Sequence, residues 1–159
     1  PLQDTWSSPD GNVVFYKART AEEGPVTAVA GQASAKGFGG PVEVVVGLDG
    51  DGGVRQGVVR GHAETPGLGT QVTDRMARRT LAEVLSGDTE QAEQDNAAAP
   101  NPYLDQYDGM NFADKVEIEM GEGGGIQPIS GATISSGAVA RAVRKIAVTF
   151  HENQAELLK

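Results

Sequence analysis

The chain contains no cysteine in its 159 residues. That excludes a disulfide framework, iron–sulfur ligation and cysteine-based zinc sites. It has only two histidines, His62 and His151, and no Gly-x-Ser-x-Gly elbow, so a triad hydrolase would find few of its parts here. No run of about 18 apolar residues is present, and no stretch reads as a signal peptide. Positive charge is scarce as well: 13 lysines and arginines against 22 acids leave a net charge of −9. This balance argues against nucleic acid or an anionic membrane surface as partners and fits basic or neutral protein surfaces. The length suits a single domain with its own core. The chain opens at Pro1 without an initiator methionine, as a trimmed or processed form would.

What is present is glycine, between short β-prone runs. Val13 to Ala18 and Val26 to Ala30 read as strands separated by a polar turn. Pro41 to Leu48 and Val54 to His62 flank Asp49-Gly50-Asp51-Gly52-Gly53, a loop of hairpin composition. A helix is expected from near Thr73 through Leu85, ended by Gly87. Residues 88–103 are acidic, Ala-rich and punctuated by proline, so they read as an exposed, mobile insertion. Lys115 to Met120 alternates polar and apolar, the pattern of a half-buried strand. After a glycine loop at 121–125, the residues Val139, Val143, Ile146, Ala147 and Phe150 recur at helical spacing from Ala132 to the C-terminus. Strands paired locally with helices inserted later give an α+β class: one domain, a mostly antiparallel sheet, flanking helices and a long C-terminal helix.

Three chemical motifs begin and fail. Asp49-Gly50-Asp51 starts like a calcium loop, but Gly53, Val54 and Arg60 occupy the fifth, sixth and twelfth positions, where a ligand, the turn glycine and the final glutamate belong. His62-Ala63-Glu64 lacks the cysteine pair that a zinc deaminase needs. Gly37-Phe38-Gly39-Gly40 precedes a strand rather than a helix, the wrong context for a dinucleotide fingerprint. No metal site and no catalytic residue of a small-substrate enzyme is expected.

The run Ser130-Gly131-Ala132-Thr133-Ile134-Ser135-Ser136 stands where a glycine-rich loop gives way to a helix. A helix start collects unpaired N–H groups and the positive end of the dipole, so it suits a phosphate. Read alone, Ser130 or Thr133 is equally an ordinary N-cap. The run resembles the flavinylation motif of the FMN-binding domain family, which includes the G subunit of the Rnf complex and the C subunit of the Na⁺-translocating NADH:quinone reductase. Two further blocks agree in order and approximate spacing. Lys36 to Asp49 is similar to the family's glycine-rich entry into its central strand, and His62-Ala63-Glu64-Thr65-Pro66-Gly67-Leu68-Gly69 to its ETPGLG loop.

The resemblance implies FMN carried on Thr133 through a phosphoester, with Ser130, Gly131, Ala132 and Ser135 around the attachment point. It makes His62, Glu64, Thr65, Leu68 and Gly69 a wall of the flavin pocket, with His62 donating to the ring or ribityl chain and Leu68 packing on the isoalloxazine. Without the resemblance, Pro66-Gly67 is a turn dipeptide and His62 a structural histidine. The resemblance further implies an electron relay rather than a stand-alone enzyme, most like the Rnf G subunit. The alternatives are the C subunit of the quinone reductase, a free-standing extracytoplasmic FMN-binding domain and a non-redox interaction module. Implied partners are other membrane subunits of the complex and, during maturation, a flavin transferase that uses FAD. The implied location is the extracytoplasmic (periplasmic) side of the bacterial inner membrane, through an N-terminal anchor expected to be absent from this chain. One position departs from the family: Gln127 stands where an acid usually lies six residues before the threonine. This glutamine is expected to make the domain a poorer transferase substrate.

Overall fold

The computed structural model describes residues 2–19, 21, 24–74, 100–114, 117–121 and 125–159. Five strands follow one another along the chain: β1 (Leu2–Ser7), β2 (Val13–Arg19), β3 (Val26–Lys36), β4 (Pro41–Asp49) and β5 (Val54–Gly61). They pair in sequence order, every pair antiparallel, as a meander. Among the described residues, a single helical turn, α1 (Thr70–Thr73), follows the sheet, then a 3-10 turn at Leu104–Tyr107 and the 25-residue helix α2 (Thr133–Leu157). This is the expected α+β class.

The alternation of β4 decides which way the sheet faces. Val42, Val44, Val46 and Leu48 are buried, while Glu43, Val45, Gly47 and Asp49 are only partly covered. On the buried face lies α2, through Val139, Ala142, Val143, Ile146 and Phe150, all at helical spacing. The Phe15 ring sits 6.0 Å from that of Phe150 and 5.9 Å from that of Trp6. Each such aliphatic or aromatic side chain contributes about 1.5–3 kcal/mol on burial. Gly31 lets the helix come this close: a Cβ there would lie 2.7 Å from Phe15 Cε1 and against Ile146. The small inward-facing Gly31 and Ala33 therefore serve the helix–sheet contact, and β3 runs on to Lys36, well past the expected end at Ala30. Strand β1 was not expected.

The loop between β4 and β5 explains the failed calcium motif. Asp49 Oδ1 accepts the N–H groups of Asp51 (3.0 Å) and Gly53 (2.8 Å), so the carboxylate organises its own turn.

Three expectations meet the structure differently. Thr73 closes a helical turn and Asp74 is extended, while the body of the helix expected through Leu85 lies outside the described residues. Of the expected insertion, 88–99 lies outside them too, but Asn101 and Tyr103 at its end are buried. Asn101 Oδ1 caps the 3-10 turn through the N–H groups of Tyr103 and Leu104, and its Nδ2 donates to the carbonyls of Gln71 and Asp74. Finally, 117–120 keeps the expected alternation, with Ile118 buried between exposed Glu117 and Glu119, but forms no strand. Among the described residues this segment makes one isolated bridge, Met120 with Ile126, and pairs with no strand of the sheet.

Candidate functional site

Three segments far apart in sequence meet at one end of α2. The first is the turn after β3, closed by Gly37 N–H to the Gly40 carbonyl at 2.7 Å. The second is the loop after β5. There Gly67 adopts φ +77, and its N–H donates to Thr70 Oγ1 at 2.9 Å, while Leu68 N–H reaches back to the Thr65 carbonyl at 3.2 Å. The third is the start of α2, entered through Gly131 at φ +81.

Glu64 holds the three together. Its Oε1 accepts the Gly39 N–H at 3.2 Å, and its Oε2 accepts the Ser135 hydroxyl. Glu64 is 6 % exposed, and no other charged residue is buried among the described residues. The glycines of the motif make room for it. A Cβ on Gly69 would stand 2.6 Å from Glu64 Cβ, a Cβ on Gly37 would collide with Glu64 Oε1, and one on Gly39 with the Ala63 carbonyl.

Between these segments lies a cleft of about 320 Å³, lined by Phe38, Glu64, Thr65, Leu68, Gly69 and the residues Gly131 to Ser135. Phe38 is 69 % exposed, Leu68 52 % and Ile134 55 %, and all three border it. Three large apolar side chains left in solvent around one cleft are the signature of a surface built to be covered.

Thr133 is the first residue of α2 and is exposed, with a hydroxyl that makes no hydrogen bond among the described residues. The N-cap position belongs to Ala132, without a side-chain cap, so neither Ser130 nor Thr133 serves as one. The N–H groups of Thr133, Ile134 and Ser135 consequently have no acceptor among the described residues; the first bond of the helix runs from Ser136 N–H to the Ala132 carbonyl at 2.9 Å. Behind the helix start, Ser136 Oγ accepts the Ile129 N–H at 3.1 Å and the Tyr103 hydroxyl donates to the Ser136 carbonyl at 2.6 Å. Burial pushes the Tyr103 phenol up to about 12 and that of Tyr107 higher still, so both stay protonated donors.

Of the residues expected at the site, Glu64, Thr65, Leu68, Gly69, Gly131, Ala132, Thr133 and Ser135 line the cleft. Ser130 and His62 do not. Ser130 is exposed beside it, and His62 is occupied elsewhere, its Nδ1 accepting the Glu64 N–H at 3.2 Å and its Nε2 meeting Asp74 Oδ1 at 2.7 Å. Phe38 and Ile134 were missed. The signal for Phe38 was an aromatic residue between glycines, in a turn with nothing to bury it. Gln127 braces the loop before the site: its Nε2 donates to the carbonyls of Gly121 (2.7 Å) and Gly125 (3.3 Å), and its backbone exchanges two hydrogen bonds with the Gln106 amide.

A family model described as FMN-binding domain matches residues 37–148, a span that includes every lining residue of the cleft. The chain belongs to the FMN-binding domain family. It is also similar to proteins named as the G subunits of ion-translocating oxidoreductase complexes. That of Pseudoalteromonas atlantica is 36 % identical over 140 residues, covering 88 % of this chain and 55 % of the relative. Those of Stutzerimonas stutzeri and Aliivibrio fischeri are 31 % and 32 % identical, over 97 % and 77 % of this chain and 58 % and 48 % of theirs. The chain thus spans about half the length of the curated relatives it matches. Among the described residues no helix is long and apolar enough to cross a membrane.

The cleft fits the cofactor its family is named for. Exposed Phe38, Leu68 and Ile134 offer apolar faces to a flavin ring, and unpaired N–H groups beside Thr133 suit its phosphate.

Proposed function

We propose that this domain carries FMN on Thr133 through a phosphoester and works as the electron-relaying domain of the G subunit in an Rnf-type ion-translocating oxidoreductase complex. The observation that carries this reading is the Thr133 hydroxyl, exposed and without a hydrogen-bond partner among the described residues, at the edge of a cleft bordered by three exposed apolar side chains. A residue kept for capping would be engaged, and a residue kept for packing would be buried.

During maturation the Thr133 oxygen attacks the FMN phosphorus of FAD in the active site of a flavin transferase. The new oxygen–phosphorus bond forms, AMP leaves, and the threonine proton passes to a base of the transferase. The first N–H groups of α2 would hold the diester's charge, since a helix start favours a negative charge by roughly 0.3–1 kcal/mol. FMN would supply the electron-carrying chemistry, and the residues lining the cleft would bind and position it. The redox partners are other membrane subunits of the complex, on the extracytoplasmic side, with the domain tethered by an N-terminal anchor. Support for the complex is the similarity to the G-subunit proteins over most of this chain.

The test is production together with a flavin transferase, read by intact mass and by fluorescence on a denaturing gel. Wild type should gain one FMN and stay fluorescent, and Thr133→Ala should do neither. Fluorescence persisting in Thr133→Ala would move the attachment to Ser130, because Ser135 is buried against Glu64. A wild type that gains no flavin would favour the non-redox interaction module.

A further inference from the structure

Among the described residues, the lining of the cleft contains one ionisable side chain, Glu64, and no lysine, arginine or histidine. No basic nitrogen lies within ion-pairing distance of the Glu64 carboxylate among the described residues. Both of its oxygens are acceptors, from Gly39 N–H and from Ser135 Oγ–H, the arrangement that suits a carboxylate. α2 has no acid of its own in the first turn, so Glu64 is the anion that faces this helix start. The N–H groups at this helix start suit a phosphate, and no cation among the described lining residues joins them to offset Glu64.

From this we infer that Glu64 is a specificity-determining residue: its charge lets the cleft accept a flavin whose phosphate is already a diester on Thr133, disfavours free FMN, and holds the attached flavin at a lower potential. The inference rests on the reading of the cleft as a flavin site. A phosphate monoester carries about −1.5 to −2 charges near neutral pH, whereas a diester carries one. A fixed, poorly solvated anion repels the first more than the second. Reduction adds negative charge to the same cleft, so the same anion opposes it. Covalent attachment then holds the flavin in a cleft whose described lining sets an anion, and no cation, beside its phosphate.

Glu64→Gln and Glu64→Asp separate charge from shape. Glutamine keeps the length, accepting from Gly39 through its oxygen and donating to Ser135 Oγ through its amide; aspartate keeps the charge and retracts it. All three proteins are produced with the transferase, checked for cooperative melting, and titrated potentiometrically. In parallel, Thr133→Ala and Thr133→Ala/Glu64→Gln, without transferase, are titrated with FMN and with uncharged riboflavin. The expected results are a midpoint more positive in Glu64→Gln than in wild type, a midpoint near wild type in Glu64→Asp, and an FMN-to-riboflavin affinity ratio at least tenfold higher in the double variant. A wild-type midpoint in Glu64→Gln, an equal rise in both Glu64 variants, or a double variant that retains no more FMN than Thr133→Ala overturns the inference while leaving the flavin site intact. A wild type that takes no flavin overturns both.

Discussion

The Tyr103 hydroxyl donates to the Ser136 carbonyl at 2.6 Å and lies 3.0 Å from the Tyr107 hydroxyl, all within the core. This contact ties the segment after residue 99 to the first turn of α2, directly behind Thr133. Removing the hydroxyl leaves the buried Tyr107 oxygen without its partner and loosens the floor of the site. Tyr103→Phe is expected to lower stability by about 1–3 kcal/mol, read as a lower urea midpoint with an unchanged slope. A loss under about 0.5 kcal/mol, the usual range for surface changes, would mean the tyrosine pair is held by packing alone.

Two glycines of the cleft loop answer to different constraints, and substitution separates them. Gly67 has φ +77 with open space around it, so alanine there meets only backbone strain, about 1–2 kcal/mol. Gly69 has an ordinary helical backbone, φ −62, but a Cβ would stand 2.6 Å from Glu64 Cβ and 3.0 Å from Ser135 Oγ. Gly69→Ala is expected to cost about 1–3 kcal/mol by overpacking and, unlike Gly67→Ala, to slow flavinylation by displacing the helix start. Thermal melts and labelling time courses on both variants check this; equal labelling rates would show that Gly69 does not position α2.

What the sequence made legible follows from which forces act locally. The 41–61 hairpin and α2 each carry an amphipathic pattern within one element, so the residues themselves report which face is buried. Lys115 to Met120 carries a pattern of the same quality, and Ile118 does face inward between exposed Glu117 and Glu119. A strand also needs the chain to bring it alongside a partner, and no periodicity reports that. Strand β1 was hidden for the opposite reason: an edge strand such as Gln3-Asp4-Thr5 needs no apolar alternation. At the site, Thr133 and Glu64 were found through motif resemblance. Phe38 and Ile134 were not, because an exposed apolar residue leaves no periodic trace. Tyr103 was hidden by its neighbours, an acidic, proline-punctuated stretch whose composition outweighed one aromatic.

Gln127 poses a conflict between loop stability and recognition by the transferase. Its side-chain amide donates to Gly121 and Gly125, and an aspartate has no proton to donate in their place. Gln127→Asp is therefore expected to lower stability by about 0.5–1.5 kcal/mol. The acid usual at this position in the family is expected at the same time to raise the labelling rate. Labelling and melting measured on one preparation test both halves. Equal labelling of wild type and Gln127→Asp would show that the side chain serves the loop and not recognition.

His62 precedes Glu64 by two residues, and its electrostatic reach to the flavin is open to measurement. Both ring nitrogens are engaged: Nδ1 accepts the Glu64 N–H, so in the neutral ring Nε2 carries the proton and gives it to Asp74 Oδ1 at 2.7 Å. Asp74 Oδ1 also accepts the Thr73 hydroxyl at 2.8 Å, which fixes the carboxylate after α1. The imidazole thus faces α1 and not the cleft, and any charge it gains has Asp74 as its immediate counterion. His62→Ala is expected to keep the covalent flavin and to lose about 0.5–1 kcal/mol of stability, the scale of a partly exposed pair. Its midpoint potential should follow the wild-type curve at every pH, in contrast with the upward shift expected for Glu64→Gln. Potentiometric titration of wild type and His62→Ala between acid and neutral pH is the check. Curves that separate on the acid side would show that a charged His62 stabilises the reduced flavin across the loop, and would place the histidine in the wall of the pocket after all.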